Sequence, residues 1–300
     1  MTEQPKKLEP SWDRLTSYAG LLKATRYAVK GKRRKGAASR FLQSMEWELL
    51  ALAGELKEQI YRPLPYRELQ ITDPKPRVVS AAAFRDRVVH HALYAEIEPL
   101  FEKAFVFDSY ANRKGKGTHA ALRRYRGFAQ KFDFTLRCDV YRYFPAIDHA
   151  ILKADLRKRV HCNRLWWLIE LIIDHSNKQE PVDLHFDGDD LLTPVERRRG
   201  LPIGNLTSQF FGNVYLNPVD HFIKEVLRIK GYVRYVDDFA LFSHSHKELV
   251  DVKRALIEFL ARRRLKLHPQ KSAIFQTNMP NQFLGFELPN CVRRCKISPR

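Results

Sequence analysis

A mixed fold of helices and strands, α/β or α+β, is what this sequence predicts, and three observations carry the prediction. Segments with apolar residues at helical spacing alternate with short β-branched and aromatic runs. At 300 residues and 44% hydrophobic content, the chain can bury a large core, in one large domain or two intimate ones. Residues 232–243 then set two adjacent carboxylates, Asp237 and Asp238, between Val233, Tyr235 and Val236 on one side and Phe239 to Phe242 on the other. That pattern is a hairpin with an acidic turn between core-type strands.

The elements follow from period and punctuation. Residues 1–45 are basic, and Lys30 to Lys35 is a solvated cationic run suited to phosphate or an acidic partner. Phe41, Met45, Leu49, Leu52, Leu56 and Ile60 share one face of a helix that Pro63 and Pro65 stop. Tyr66 to Thr72 alternates as a strand, Lys75-Pro-Arg77 is a basic turn and Val78 to Ser80 is extended. Arg85 to Phe101 is helical, residues 108–118 form a Gly- and Lys-rich loop, and His119 to Lys131 is a basic helix. Phe134 to Val140 is a strand, and Ala150 to Arg159 and Arg164 to Asp174 are helices. Residues 176–200 are a polar excursion in which Asp187 to Asp190 is solvated and lacks calcium-loop spacing. Leu206 to Leu227 is helical, and Lys247 to Arg264 is a further helix after the acidic hairpin. Leu265 to His268, Ser272 to Gln276 and Phe283 to Leu288 are short strands. His90 and His91 fall within a helix and read as packing or template-backbone residues rather than metal ligands.

Charge narrows the partners. The formal net charge of +19 favours a polyanion, with nucleic acid ahead of an anionic membrane surface. Four cysteines, Cys138, Cys162, Cys291 and Cys295, are too few for a disulfide framework and read as free thiols in a reducing cytosol. No apolar run approaches the length of a membrane span, and no signal peptide opens the chain.

Two anions at the end of a buried ribbon repel each other and lose hydration, which a divalent cation and a third carboxylate would relieve. Asp139 supplies that carboxylate, at the end of the strand-like run from Phe134. Such a triad suits two Mg²⁺ ions, which take oxygen ligands and keep positions open for substrate phosphates.

The residues around these aspartates carry a family resemblance. Tyr235 to Asp238 (Tyr-Val-Asp-Asp) resembles the central motif of reverse transcriptases, and Leu136 to Phe144 their first metal-binding motif. Lys75 to Arg77 with Arg85 to Val89 resembles the fingers motif, and Ser109 to Arg113 the next one. Leu265 to Lys271 and Phe283 to Phe286 resemble the late palm motifs, all in the family's order. The resemblance implies an α+β right-hand polymerase fold. Residues 1–45 would be a basic N-terminal extension, 46–133 the fingers, 134–289 a ferredoxin-like palm and 290–300 the stub of a truncated or missing thumb.

The same resemblance assigns roles. Asp139, Asp237 and Asp238 would form the metal site for two Mg²⁺, with Mn²⁺ as the alternative ion and the Val140 carbonyl as a further ligand. Asp238 would support the site more than coordinate. Lys75 and Arg77 would clamp the incoming triphosphate, and Arg113 would contact phosphate or template. Phe144 would gate against the ribose 2′-hydroxyl, with Tyr143 competing for the role, and Lys271 would protonate pyrophosphate. Gly200 to Gln209 is similar to the variant found in diversity-generating retroelements. There Ile203, Gly204 and Gln209 would touch the nascent pair or template, and Ile203 would loosen checking of base-pair geometry. The implied function is error-prone, adenine-mutagenic copying of a template-repeat RNA into cDNA. Implied partners are an RNA template, a DNA primer, dNTPs and a small basic pentameric accessory protein, with no membrane, in bacterial or phage-encoded cytoplasm. The alternatives are a phage-defence or other group II intron-like reverse transcriptase, or an inactive RNA-binding remnant.

Overall fold

The computed structural model describes residues 10–33, 36–72, 77–177, 179–180, 182 and 185–288. Four helices come first: α1 (Trp12–Thr16), α2 (Tyr18–Ala28), α3 (Gly36–Gln43) and α4 (Met45–Lys57). A ribbon of β1 (Arg67–Ile71) and β2 (Arg77–Ala81) precedes α5 (Phe84–Glu102) and α6 (Thr118–Ala129). β3 (Phe134–Asp139) leads through α7 (Tyr143–Ala146), α8 (His149–Arg157), α9 (Asn163–Asp174) and α10 (Thr193–Glu196) to α11 (Leu206–His221). The acidic hairpin is β4 (Gly231–Tyr235) and β5 (Asp238–Ser243). α12 (His246–Arg262), β6 (Ala273–Gln276) and the ribbon of β7 (Asn281–Phe283) and β8 (Phe286–Leu288) follow. No helix among the described residues is long and apolar enough to cross a membrane.

The chain divides into two units. The first comprises Met1–Lys103, Leu152–Gln179 and Gly200–Phe211. Its α2 packs along α5, with α1 and α4 beside it, over a core that includes Trp12, Leu15, Leu21, Leu49, Leu52, Val89 and Leu93. Two serines start the leading helices: Arg14 N–H donates to Ser11 Oγ at 3.2 Å and Gly20 N–H to Ser17 Oγ at 3.0 Å. Arg14 ties α1 to α5 through Glu96, with bonds of 2.7 and 2.5 Å. Lys30 to Arg33 are exposed, in line with a solvated run, and the rest of that run lies outside the described residues.

Two expectations fail in this unit. The helix predicted from Phe41 to Ile60 is two helices, because the chain leaves helical geometry at Ser44, where φ is −113° and ψ 27°. It also stops before Ile60, which is 57% exposed, because Gln59 turns into the left-handed region at φ 58°.

The second unit comprises Ala104–Ile151, Glu180–Arg199 and Gly212–Arg300. Its sheet has the order β4-β5-β3-β6, antiparallel throughout. With α11 between β3 and β4, and α12 between β5 and β6, this is the β-α-β-β-α-β ferredoxin-like arrangement. The expected palm sheet is therefore present. Val233, Ala240 and Phe242 pack with Ala121, Leu122, Tyr125 and Ala129 of α6 and with Phe283. α12 covers β3, β5 and β6.

Four expectations are corrected here. Leu265 to His268 is not a strand; it meets the palm through an isolated bridge between Val140 and Leu267. Phe283 to Leu288 is interrupted by a turn at Leu284 and Gly285, both at positive φ (54° and 78°), the two-residue hairpin geometry that glycine favours. The α-helix from Leu206 ends at His221 and widens into a π-type turn over Phe222–Val226, where Phe222 stacks on Phe259 at 4.2 Å. The 187–190 segment is not wholly solvated: the Asp189 side chain is buried against Arg197 and Arg264, the latter at 2.9 Å. Cys138 is buried and Cys162 half-buried, both as thiols, whereas Cys291 and Cys295 lie outside the described residues.

His90 on α5 is buried, and desolvation, then the fields of His91, Arg87 and His175, push its pKa from 6.5 down to about 3. The folded state therefore refuses a proton that the unfolded chain accepts below its ordinary pKa. Stability should fall as pH drops from about 6 towards 4, with His90 contributing up to about 1.4 kcal/mol per pH unit. The H90Q variant should show a shallower acid loss than the parent in urea denaturation across that window.

Candidate active site

The acidic hairpin is closed by pairing of Tyr235 with Asp238, leaving Val236 and Asp237 as its two turn residues. Val236 has φ 57°, a left-handed conformation unfavourable for a β-branched side chain. Such strain is of order 1–3 kcal/mol and persists only where the surroundings over-determine it. The surroundings here are a buried charge network. Arg234, completely buried, donates from Nη1 to the Val236 carbonyl at 3.0 Å. Its Nε and Nη2 reach the two oxygens of the buried Asp220, each at 2.6 Å. Tyr232 Oη donates to Asp220 Oδ1 at 2.6 Å, and Arg234 Nη1 also reaches Asn213 Oδ1 at 3.1 Å.

Burial alone would lower the Arg234 pKa; the charge of Asp220 and its hydrogen bonds outweigh it and hold the guanidinium charged. The Arg234 backbone is fixed as well, donating to Asp108 O and accepting from Tyr110 N–H, both at 2.9 Å. Sequence reasoning missed this network. The available signal was an arginine inside a strand otherwise made of Tyr232, Val233 and Tyr235.

Asp139 lies directly opposite Asp238 in the β3–β5 register. Directly opposed residues leave a sheet on the same face with Cβ atoms about 4.5–5.5 Å apart, and like charges so placed repel. Lys271 relieves that repulsion: its Nζ is 2.9 Å from Asp139 Oδ2. The loop carrying it is pinned to the same residue, with His268 N–H donating to Asp139 O at 2.7 Å and Asp139 N–H to Ser272 Oγ at 3.3 Å. Asp139, Asp237 and Asp238 are all half-buried, and Val140 is buried beside them. Among the described residues no three acidic, histidine or cysteine side chains converge as a finished metal cage. The arrangement is a rim of hard oxygen donors with an internal cation on it, a donor set that suits a hard divalent ion.

Other expected site residues are placed as follows. Tyr143 is buried and donates to the Gly212 carbonyl at 2.5 Å, while Phe144 next to it stays half-exposed. A Cβ on Gly212 would meet both rings, at 3.3 and 3.4 Å. Arg113 is turned onto its own loop, with Nη1 donating to Val106 O at 2.6 Å and Ser109 O at 2.9 Å. In the first unit, the Ile203 carbonyl accepts from Ser80 N–H at 3.0 Å. Gly204 has φ 108°, and a Cβ there would lie 2.6 Å from Val79 Cγ1. Asn205, unnoticed in the sequence, is buried and bonds Ser80 O at 2.8 Å and Ala82 N–H at 3.2 Å. Gln209 is half-buried on α11, Arg77 starts β2, and Lys75 lies outside the described residues.

With this geometry in view, residues 71–288 match the family model described as reverse transcriptase (RNA-dependent DNA polymerase). The chain belongs to that family. The expected RNA-directed DNA polymerase class is thereby borne out. The chain is 26% identical over 283 residues to Protein YkfC of Escherichia coli (strain K12), covering 80% of this chain and 71% of that one. It is 20% identical over 329 residues to the group II intron-encoded protein LtrA of Lactococcus lactis subsp. cremoris, covering 87% of this chain and 53% of LtrA. Among solved structures, telomerase from Candida albicans in complex with a fragment of telomeric RNA superposes with a TM-score of 0.50 at 12% identity. That match covers 78% of this chain and 46% of the telomerase, and it speaks for the fold alone. The reverse transcriptase thus has group II intron-like homologues, and it spans about half the length of LtrA and of the telomerase chain.

The buried pair makes a stability prediction. D220N leaves the Arg234 charge buried without its counter-ion and should destabilise the protein by about 3–5 kcal/mol. Replacing both partners, as R234M with D220L, should recover part of that loss. Urea denaturation of the three chains measures the difference.

Proposed function

We propose that this chain is a divalent-metal-dependent RNA-directed DNA polymerase whose reaction centre is the rim of Asp139, Asp237 and Asp238. The single observation that carries the reading is the register that sets Asp139 opposite Asp238 at the end of the palm sheet, with Asp237 beside it in the hairpin turn. Asp139 and Asp237 would hold the metal, with the Val140 carbonyl as a further donor and Asp238 in support. Bound Mg²⁺ (or Mn²⁺) supplies Lewis-acid stabilisation of the primer 3′-oxygen and the leaving pyrophosphate. Lys75 and Arg77 clamp the triphosphate and Arg113 touches phosphate or template. Phe144, the half-exposed ring of the aromatic pair, closes the pocket against a 2′-hydroxyl. Lys271, 2.9 Å from Asp139 Oδ2, would pass a proton to pyrophosphate. In primer extension on an RNA template with Mg²⁺, the intact chain should add deoxynucleotides, and the D237A variant should fall to background. No extension by the intact chain would favour an RNA-binding remnant instead.

Within that activity we assign the chain to error-prone copying of a template-repeat RNA in a diversity-generating retroelement, with a small pentameric accessory protein as partner. The support is the segment from Ile203 to Gln209, whose Ile203 is fixed in place by Ser80 and by the packing of Gly204 on Val79. A second reading, a group II intron-like reverse transcriptase outside such elements, is favoured by the similarity to LtrA. Sequencing of cDNA separates them. Under the first reading the parent misincorporates opposite template adenines and I203N lowers that rate; accurate copying by the parent supports the second.

A further inference from the structure

Beside the palm sheet, the second unit carries cations and aromatic rings in alternation. Lys116 Nζ lies 3.3 Å from the centroid of the Phe107 ring, and the Arg124 guanidinium 5.7 Å from it on another side chain's approach. The same guanidinium is 4.4 Å from the Phe128 ring, Phe128 is 6.2 Å from Phe132, and Lys131 lies 5.9 Å from Phe132. The row runs from the loop at Phe107 along α6 to the start of β3. None of this belongs to the carboxylate rim.

Phe107 is not held in place by burial. It keeps 67% of its surface exposed, and the ring contacts recorded for it are two cations and the edge of Tyr110 at 6.4 Å. An exposed cation–π contact stabilises less than burying such a ring would. A Phe held out in water by cations is instead a ready platform for a base, since base–aromatic stacking and Arg contacts are the means by which single strands are gripped. The charge of the row agrees. Arg123 and Arg126 of α6 are exposed beside it. The nearby Asp108 is buried and engaged by both Arg124 at 2.9 Å and Lys224 at 3.3 Å. Asp133, at the far end, is paired with His244 at 2.7 Å.

We propose that the row formed by Phe107, Lys116, Arg124, Phe128 and Lys131, seated on the buried Phe132, is a binding track for single-stranded RNA, separate from the reaction centre. A base stacks on the exposed Phe107 while the cations follow the phosphates, and the half-buried Phe128, packed on Phe242, holds Arg124 in the row. The choice of RNA rests on the polymerase reading; the track itself does not, because binding needs neither metal nor nucleotide.

The test is fluorescence anisotropy of the full chain with a labelled, unstructured oligouridylate over a salt series, without metal or dNTPs. F107A should weaken binding by about 5- to 100-fold, and F107W should restore it. R124Q should flatten the plot of log affinity against log salt by about 0.7, one phosphate contact on a single strand. Thermal melting close to that of the parent shows that the variants are folded. Duplex RNA should be bound no more weakly by F107A than by the parent. Parent-like oligouridylate affinity in folded F107A, or failure of F107W to restore it, overturns the track. A larger loss with oligodeoxythymidylate than with oligouridylate overturns the assignment to RNA. Primer extension by the same variants reports on the reaction centre separately.

Discussion

The paired charges of Arg234 and Asp220 sit beneath everything this palm presents. A guanidinium fork meets a carboxylate fork in a site without water access, and Tyr232 and Asn213 satisfy what remains. Such a pair is weak evidence for net stability, because desolvation offsets most of the attraction. Its contribution is geometric. The same arginine reaches the Val236 carbonyl, so the position of the acidic turn is set from inside the sheet rather than by the turn itself. The loop at Asp108 and Tyr110 is bonded to the arginine's own backbone, which adds a short parallel contact outside β4. One residue thus fixes the turn, the strand edge and, through Asp220, the end of α11.

Above that foundation lies a surface of opposite character. Asp139 and Asp238 face each other across two strands, and the repulsion between them is moderated by Lys271. The lysine arrives on the loop between α12 and β6, which is itself tied to the Asp139 backbone on both sides. Asp139, its counter-charge and the supporting loop are therefore joined by direct bonds. The rim gathers three carboxylates on a chain whose formal net charge is +19, a balance that favours polyanionic partners.

The hairpin and Asp139 at a strand end were legible in the sequence because each rests on local periodicity, and period is a property of neighbours along the chain; the ferredoxin-like palm followed only from the resemblance of the ordered motifs to reverse transcriptases. The network around Arg234 was not legible, because its partners Asn213 and Asp220 come from a helix whose orientation no local pattern states. An arginine between Val233 and Tyr235 reads as a solvent-facing charge until the sheet is assembled around it. The break at Ser44 and the turn at Leu284 escaped for a related reason: apolar spacing continues across both, and only the backbone angles interrupt it. Gly204 was noticed for its freedom, yet its demand comes from Val79, far off in sequence.

The strand order has a consequence for how the protein is made. β3 sits in the middle of the sheet, between β5 and β6, and neither neighbour precedes it in the chain. Roughly a hundred residues separate Asp139 from the strand it must pair with, and at about 5–20 residues per second a ribosome takes roughly 5–20 s to supply them. During that interval a β-rich segment of the nascent chain waits with both edges unsatisfied. The charged residues Arg137 and Asp139 within it then act as guards against mispairing, well before the second of them is needed at the rim.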